Sequence, residues 1–253
     1  MSVIDNFVAP PCHEHIKILW QDEHILLINK PSGLLSLSGK NPLNKDSVHH
    51  RLVEQFPTVT LAHRLDFGTS GIMLLAKSKE VNAQLTKQFQ QRTVIKRYEA
   101  ILAGHVLEDS ACIELSIAKD PSNFPRLKVC ELTGKPASSH YRVVERLQNP
   151  ESTRVLFTPL TGRTHQLRIH SQAIQHPILG CDLYGTTETQ AMSPRLLLHA
   201  VELEFLHPQT NEAMKITCPS PFDALYKQTK FQTANHTASV FCNVSGGIRS
   251  CHQ

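Results

Sequence analysis

The sequence lacks the long apolar run that a membrane-spanning helix needs, since no stretch approaches about 18 consecutive apolar residues. Its start, MSVIDNFVAPPCHEH, lacks the basic segment and following apolar stretch of a secretory signal. These two absences predict a cytoplasmic protein. A hydrophobic content of 40% in 253 residues is nevertheless enough to build a sizeable core.

Paired cysteine spacings are also missing. The seven cysteines are odd in number and scattered, and none forms a C-x-x-C pair. This pattern indicates neither a disulfide framework nor a zinc ribbon, so we expect free thiols.

The net charge of +4 says little about partners, because residues 226–253 contain three basic residues and no acidic one. Local clusters are more informative. Lys96 and Arg97, Arg126 and Lys128, and Arg163 with Arg168 form short basic groups. Such groups can follow a phosphate backbone, or they can simply be solvated surface.

Short apolar runs dominate the chain and predict strands, among them ILLINK, GIMLLAK, RYEAILAG and TRVLFTPL. Helical periodicity is confined to three segments, DSVHHRLVEQFP, SKEVNAQLTKQFQQ and THQLRIHSQAIQ. Because strands outnumber helices and often follow one another directly, we predict an α+β fold with a mixed, largely antiparallel central sheet flanked by helices and loops.

The predicted organisation is an N-terminal extension over residues 1–15, a single folded domain over residues 16–222 and a tail over residues 223–253. The tail is polar and rich in small residues, with few apolar anchors, so we expect it to be loosely ordered.

The stretch HRLDFGTSG, residues 63–71, places Asp66 on a loop directly before a predicted strand. A carboxylate in that position can project into a cleft and serve as a nucleophile, an acid or a base. It can equally be an aspartate that caps the Gly-Thr-Ser-Gly turn with its side chain. Spacing alone does not decide between these interpretations.

Several histidines invite a metal interpretation, but their spacing disfavours it. His165 and His170 are five residues apart on a predicted helix, which separates them by about 140° around its axis. No H-E-x-x-H pattern is present, and GRTHQLRIH lacks the glycine-rich pattern of a phosphate-binding loop. A metal-dependent hydrolase remains an alternative that elemental analysis of the purified protein would test.

Taken as a whole, HRLDFGTSG resembles the H-R-L-D-x-x-T-S-G signature of the RluA family of pseudouridine synthases. Further blocks agree in order: INKPSGLLSLSG is similar to the family's N-K-P-x-G block, KRYEAILAG to K-x-Y-x-A, and GRTHQLRIH to G-R-x-H-Q-L-R-x-H, followed by HPILG and LLLHA. The resemblance covers roughly residues 16–222 and implies the catalytic fold of that family.

The resemblance implies an enzyme that isomerises uridine within RNA to pseudouridine and needs no cofactor or metal. It implies Asp66 as the essential aspartate, Arg168 as the arginine that pairs with it and keeps it charged, and Tyr98 as the aromatic residue beside the flipped uracil. Arg64 matches an arginine that enters the space left by the flipped nucleotide. Further RNA-binding residues are expected in the matched blocks: His63, Lys96, Arg163 and His165.

Whole phrases, among them KVCELTGKPA and PRLLLHA, resemble the short RluA subgroup. That likeness implies two substrates, the anticodon loop of tRNA at position 32 and a hairpin of 23S ribosomal RNA. The first predicted strand begins by about Ile16, so we expect no S4-like module before the catalytic domain and expect RNA to be recognised by that domain. No protein partner is implied, and we expect a monomer. The alternatives are other uridines in 23S rRNA or tRNA, and an RNA-binding protein without turnover.

The match departs from the family pattern at one place. The family usually has aspartate directly after the glycine of HPILG, whereas Cys181 stands there and Asp182 follows. This leaves the geometry of the next loop open.

Overall fold

The computed structural model describes residues 7–223. The chain divides into two units, Met1–Pro219 and Ser220–Gln253, and the helices and strands given below lie in the first unit. The predicted tail, apart from residue 223, and the first six residues of the predicted N-terminal extension lie outside the described residues. The residues described include five free cysteines.

Eleven strands in the described part of the chain form one sheet in the order β1-β2-β4-β10-β5-β9-β8-β6-β7, with β3 on β4 and β11 on β10. The β4–β10 pair is parallel and the other pairs are antiparallel. The strands are β1 Lys17–Gln21, β2 Ile25–Lys30, β3 Thr60–Leu61, β4 Ser70–Ala76, β5 Ile95–Ala103, β6 Ser110–Lys119, β7 Leu127–Val129, β8 Lys135–Gln148, β9 Glu151–Pro159, β10 Leu198–Leu206 and β11 Ala213–Thr217.

Four α-helices accompany the sheet within residues 7–223: α1 Val48–Leu52, α2 Lys79–Gln91, α3 Gln166–Ala173 and α4 Thr187–Ala191. Ser47 and Ser78 cap α1 and α2, since the side chain of each accepts a hydrogen bond from a backbone N–H of the first turn. No helix in this part of the chain has both the length and the apolar character needed to cross a membrane.

The core lies around β2 and β4. Every residue of β4 is buried, as are five of the six residues of β2, which explains why ILLINK and GIMLLAK are continuous apolar runs. Gly71 has φ +111°, and a Cβ there would collide with the backbone of Ala200. Only glycine therefore allows β4 and β10 to approach this closely.

The predicted α+β fold with a mixed, largely antiparallel sheet is confirmed. Strands β2, β4, β5 and β9 and helices α1, α2 and α3 lie where the apolar runs and the helical periodicity predicted them. The elements absent from the prediction are β3, β7, α4 and the 3-10 turn Pro121–Asn123. β3, β7 and the 3-10 turn have two or three residues, too few for a period to be visible, and α4 has no buried residue and therefore no apolar face.

Candidate active site

A cavity of about 930 Å³ opens where β4, β5 and β10 begin and β9 ends. Its wall is built from residues 35–37, the loop 63–69, the C-terminal end of α2, the start of β5 and the segment from the end of β9 into α3. The blocks singled out in the sequence therefore meet at a single place in the fold.

The loop carrying Asp66 is fastened to the segment that follows β2. Ser36 Oγ donates to the carbonyl of Leu65 (2.7 Å) and accepts from its N–H (3.2 Å). Ser32 Oγ donates to the carbonyl of Gly68 (2.7 Å). The K-P-S-G-L-L-S segment thus fixes the backbone on both sides of Asp66.

Lys30 adds a buried cation to this connection. Its side chain is fully buried, and Nζ donates to the carbonyl oxygens of Pro31 (2.9 Å), Leu34 (2.6 Å) and Phe67 (3.2 Å). Burial lowers the pKa of Lys30 to about 7, with Cys12 and Asp66 acting in the opposite direction. One side chain therefore binds the end of β2 to the residue next to Asp66.

The end of the turn after Asp66 is also held by His199 on β10 and by Arg195, which precedes that strand. Ser70 Oγ lies 2.6 Å from His199 Nδ1 and accepts a hydrogen bond from Arg195. Ser70 and His199 are almost completely buried, and burial lowers the pKa of His199 to about 4. This neutral imidazole supports the turn and does not face the cavity wall.

The Asp66 side chain does not cap the turn. Thr69 N–H donates to the backbone carbonyl of Asp66 (3.1 Å), and no hydrogen bond within residues 7–223 reaches its carboxylate. Asp66 is the only carboxylate among the described residues that line the cavity. The structure therefore favours the interpretation of a carboxylate that projects into a cleft.

Tyr98 and Arg168 line the same cavity as Asp66. Burial and the nearby charge of Asp66 raise the pKa of Tyr98 well above its ordinary value, so the phenol keeps its proton. In the sheet, Tyr98 is paired with Phe157 on one side and Ala200 on the other. The backbone of Tyr98 is thereby held between β9 and β10.

The structure does not show the expected ion pair between Arg168 and Asp66. Arg168 forms its ion pair with Asp182, and its Nε donates to Cys181 Sγ (3.3 Å). Burial would lower the pKa of Arg168, but Cys181, Asp182 and Asp66 together raise it. Since Cys181 follows Gly180, the aspartate comes one residue later and its carboxylate reaches the guanidinium. Asp66 thus acts on Arg168 by charge, without a direct ion pair in this structure.

His63 has an internal role in this structure. Its Nε2 accepts a hydrogen bond from the N–H of Leu74 (3.0 Å), and its ring packs on Phe89 with centroids 4.7 Å apart. Burial, with a contribution from Lys96, lowers its pKa to about 3. A neutral His63 thus connects the Asp66 loop, β4 and α2, while its remaining surface lines the cavity.

His165 begins α3 in the left-handed conformation, with φ 56°. Its Nδ1 lies 2.9 Å from the hydroxyl of Tyr184, which also accepts from the N–H of Leu127 (2.9 Å). The guanidinium of Arg168 lies 5.3 Å from the centre of the Tyr184 ring. Tyr184 therefore connects the start of β7 to the start of α3; it lies in no matched block and was not predicted from the sequence.

Four further cations line the cavity and are together called the basic rim here: Arg64, Arg92, Lys96 and Arg163. None of the four forms an ion pair within the described part of the chain. Three of them were predicted from the sequence, and Arg92 was not. Positive charge without a neutralising carboxylate indicates an anionic ligand.

The predicted histidine positions do not build a metal centre. His170 is fully buried and neither ring nitrogen has a hydrogen-bond partner among the described residues. Over residues 7–223, side chains of His, Cys, Asp and Glu form no group of three that could hold a metal ion.

Comparison with known proteins assigns the family. The model of the RNA pseudouridylate synthase family matches residues 24–173. The chain is 44% identical over 214 residues to the dual-specificity RNA pseudouridine synthase RluA of Pasteurella multocida, covering 85% of this chain and 97% of that protein. It is 43% identical over 213 residues to the protein of the same name in Escherichia coli K12, covering 84% and 97%.

Two solved structures of RNA pseudouridylate synthase domain proteins are similar to this chain. Human RNA pseudouridylate synthase domain containing 1 is 28% identical, with a TM-score of 0.70, over 87% of this chain and 97% of that one. Human RNA pseudouridylate synthase domain containing 4 is 25% identical, with a TM-score of 0.68, over 84% and 92%.

Among the described residues one carboxylate lines the cavity together with a tyrosine, an arginine and the basic rim, an arrangement that fits an enzyme acting on an anionic substrate. The chain belongs to the RNA pseudouridylate synthase family. It is therefore an isomerase that converts uridine within RNA to pseudouridine.

Proposed function

We propose that Asp66 is the catalytic residue of this isomerase and that it acts at C1′ of the target uridine. The single observation that supports this most is that Asp66 is the only carboxylate lining the cavity in the described part of the chain, with five cations around the same space. Isomerisation breaks the bond between C1′ and N1 and forms one between C1′ and C5, while the hydrogen on C5 is replaced by one on N1.

Cleavage of the glycosidic bond develops positive charge on the sugar, as in glycoside hydrolysis. An ionised carboxylate can stabilise that charge or attack C1′. Because no hydrogen bond from residues 7–223 occupies the Asp66 carboxylate, both oxygens are available to the sugar. Arg168 supplies a fixed positive charge nearby, and its pair with Asp182 determines where that charge lies.

Tyr98 is proposed to contact the detached uracil. Its backbone is held within the sheet, and its hydroxyl stays protonated because burial and Asp66 raise its pKa. A protonated phenol next to the carboxylate can donate a hydrogen bond to the base while the base rotates.

Arg64 is proposed to enter the space that the flipped nucleotide leaves. It lies two residues before Asp66, is exposed, and has no ion-pair partner within the described residues. Extrusion of a base costs a few kcal/mol, which such a side chain can offset by filling the gap. Lys96, Arg163, His63 and His165 complete the RNA-binding set.

The proposed substrates are the tRNA anticodon loop, at position 32, and a hairpin of 23S rRNA. Support comes from the relatives, which are named dual-specificity RNA pseudouridine synthases and are 42–45% identical. Recognition by the catalytic domain is expected to depend on loop shape and splayed bases. We further infer that it acts as a monomer in the cytoplasm.

Pseudouridine mapping tests this assignment. Total tRNA and 23S rRNA are treated with carbodiimide and reverse-transcribed, from cells with the gene, without it, and with Asp66→Asn in its place. We expect loss at both hairpins without the gene and no restoration by the variant. Loss at other uridines would overturn the substrate assignment, and restoration by Asp66→Asn would overturn the role of Asp66.

A further inference from the structure

Arg92 ends helix α2 in a conformation that arginine rarely adopts. Its φ and ψ are 59° and 29°, in the left-handed region. Thr93 N–H donates to the carbonyl of Gln88 (3.1 Å), and Arg92 N–H donates to that of Phe89 (3.3 Å). These two hydrogen bonds define a Schellman motif, in which the left-handed position is usually glycine.

No side-chain interaction of Arg92 with the described residues compensates for this backbone conformation. Its guanidinium forms no ion pair or hydrogen bond within residues 7–223. Its charge acts unfavourably on Lys96, whose pKa is lowered by burial and by Arg92. In the folded state Arg92 therefore has a strained backbone conformation, and its charge repels that of Lys96.

The neighbouring cation Arg97 shows the opposite arrangement. Arg97 forms ion pairs with Glu202 and Glu204 on β10. Arg92 and Lys96 instead line the cavity, where Asp66 is the only carboxylate among the described lining residues. Arg97 is thus neutralised by carboxylates, whereas Arg92 and Lys96 have no carboxylate partner among the described residues.

From these observations we propose that Arg92, together with Lys96, binds a phosphodiester of the substrate RNA next to the target nucleotide. A phosphate group between two cations removes their repulsion and forms charge-assisted hydrogen bonds with both. Strained residues at ligand-binding positions persist when the conformation serves the ligand. The proposal rests on the function proposed above only in taking RNA as the ligand.

The test uses Arg92→Gly, which removes the charge and relieves the backbone. Gln175 provides a matched control because it is also exposed and left-handed, with φ 64°, but does not line the cavity. Gln175→Gly removes comparable backbone strain without removing a charge. A third variant, Arg92→Gln, removes the charge and keeps the strain.

We expect both glycine variants to unfold at temperatures about 2–4 °C higher than the wild type. Arg92→Gly and Arg92→Gln should each bind a labelled anticodon stem-loop about fivefold more weakly, with the slope of log affinity against log salt reduced by about 0.7–0.9. Gln175→Gly should leave RNA affinity and the salt slope unchanged. The combination of greater stability and weaker binding is specific to a cation held for a ligand.

Unchanged affinity and salt slope in both Arg92 variants would overturn the proposal, as would an equal loss of affinity in Gln175→Gly. Because phosphate contacts carry no base sequence, the same measurements are made on an unrelated RNA hairpin. Loss of affinity for both RNAs supports the Arg92 site even if the wild type fails to modify the anticodon loop. The two RNAs therefore distinguish an error in the proposed substrate from an error in the proposed phosphate site.

Discussion

The cavity contains two sets of polar residues with opposite local chemistry. The inner group, defined as Asp66, Tyr98 and Arg168, is fastened by the sheet, by the segment after β2 and by Asp182. The basic rim has no ion pair within residues 7–223, and only Arg163 has a side-chain hydrogen bond there, to the carbonyl of Pro136. The contrast fits the proposal that the inner group carries out the chemistry and that the basic rim binds the polyanionic RNA.

Replacement of the inner carboxylate should give the largest effect. We expect Asp66→Asn to lower the rate of a single turnover by about 1,000-fold or more, because the charge that acts on the sugar is lost. RNA affinity should change less than about twofold, since the basic rim is untouched. Quench-flow assays and filter binding on the same preparation measure both quantities. A variant that keeps turnover would contradict the assignment of Asp66.

Removal of the inner cation should be the next most damaging change. Arg168→Ala should lower turnover about 100-fold by taking away the positive charge near Asp66 and leaving Asp182 unpaired. Asp182→Asn is the companion variant, and it should slow turnover less because the cation itself remains. A near-normal rate in Arg168→Ala would remove this arginine from the inner group.

Lys30→Met should loosen the loop that carries Asp66, because Lys30 Nζ donates to the carbonyl of the next residue, Phe67. The variant removes the hydrogen bonds that Nζ donates to the carbonyls of Pro31, Leu34 and Phe67, of which only Phe67 keeps another donor among the described residues, the N–H of Gly33; we expect a cost of about 2–3 kcal/mol in the free energy of unfolding. Urea denaturation measures this loss. The salt dependence of RNA affinity should stay near that of the wild type, because no residue of the basic rim is altered. Unchanged stability would show that Lys30 does not secure the loop.

The smallest expected effect concerns pH. His170 and His199 are buried, and burial lowers the pKa of each from 6.5 to about 4. The unfolded chain therefore binds more protons between these values, and stability must fall as pH decreases through this window. From pH 7 to 5.5 we expect a loss of about 1 kcal/mol for each histidine. The variants His170→Gln and His199→Gln should each flatten the pH profile; a profile unchanged in both would contradict the account.

The sequence predicted most of the fold, because β2, β4 and α2 have clear hydrophobic patterns. It also identified the blocks that surround Asp66, as well as three of the four rim cations. It did not predict that Arg168 pairs with Asp182, since the partner depends on how the chain bends after Gly180. It missed Arg92 because a left-handed residue is visible in a sequence mainly when it is glycine. Tyr184 was missed because only the folded chain brings Leu127 and His165 to its hydroxyl.

One kinetic experiment tests whether the inner group performs the chemistry while the basic rim binds the RNA. Single-turnover formation of pseudouridine in one RNA hairpin is followed at increasing enzyme concentration for the wild type, Asp66→Asn and Lys96→Gln. The account predicts that Asp66→Asn loses its maximal rate with little change in half-saturating concentration. Lys96→Gln should need several times more enzyme and lose far less of its maximal rate. The reverse pattern, in which Asp66→Asn binds poorly but turns over at full rate, would contradict the account.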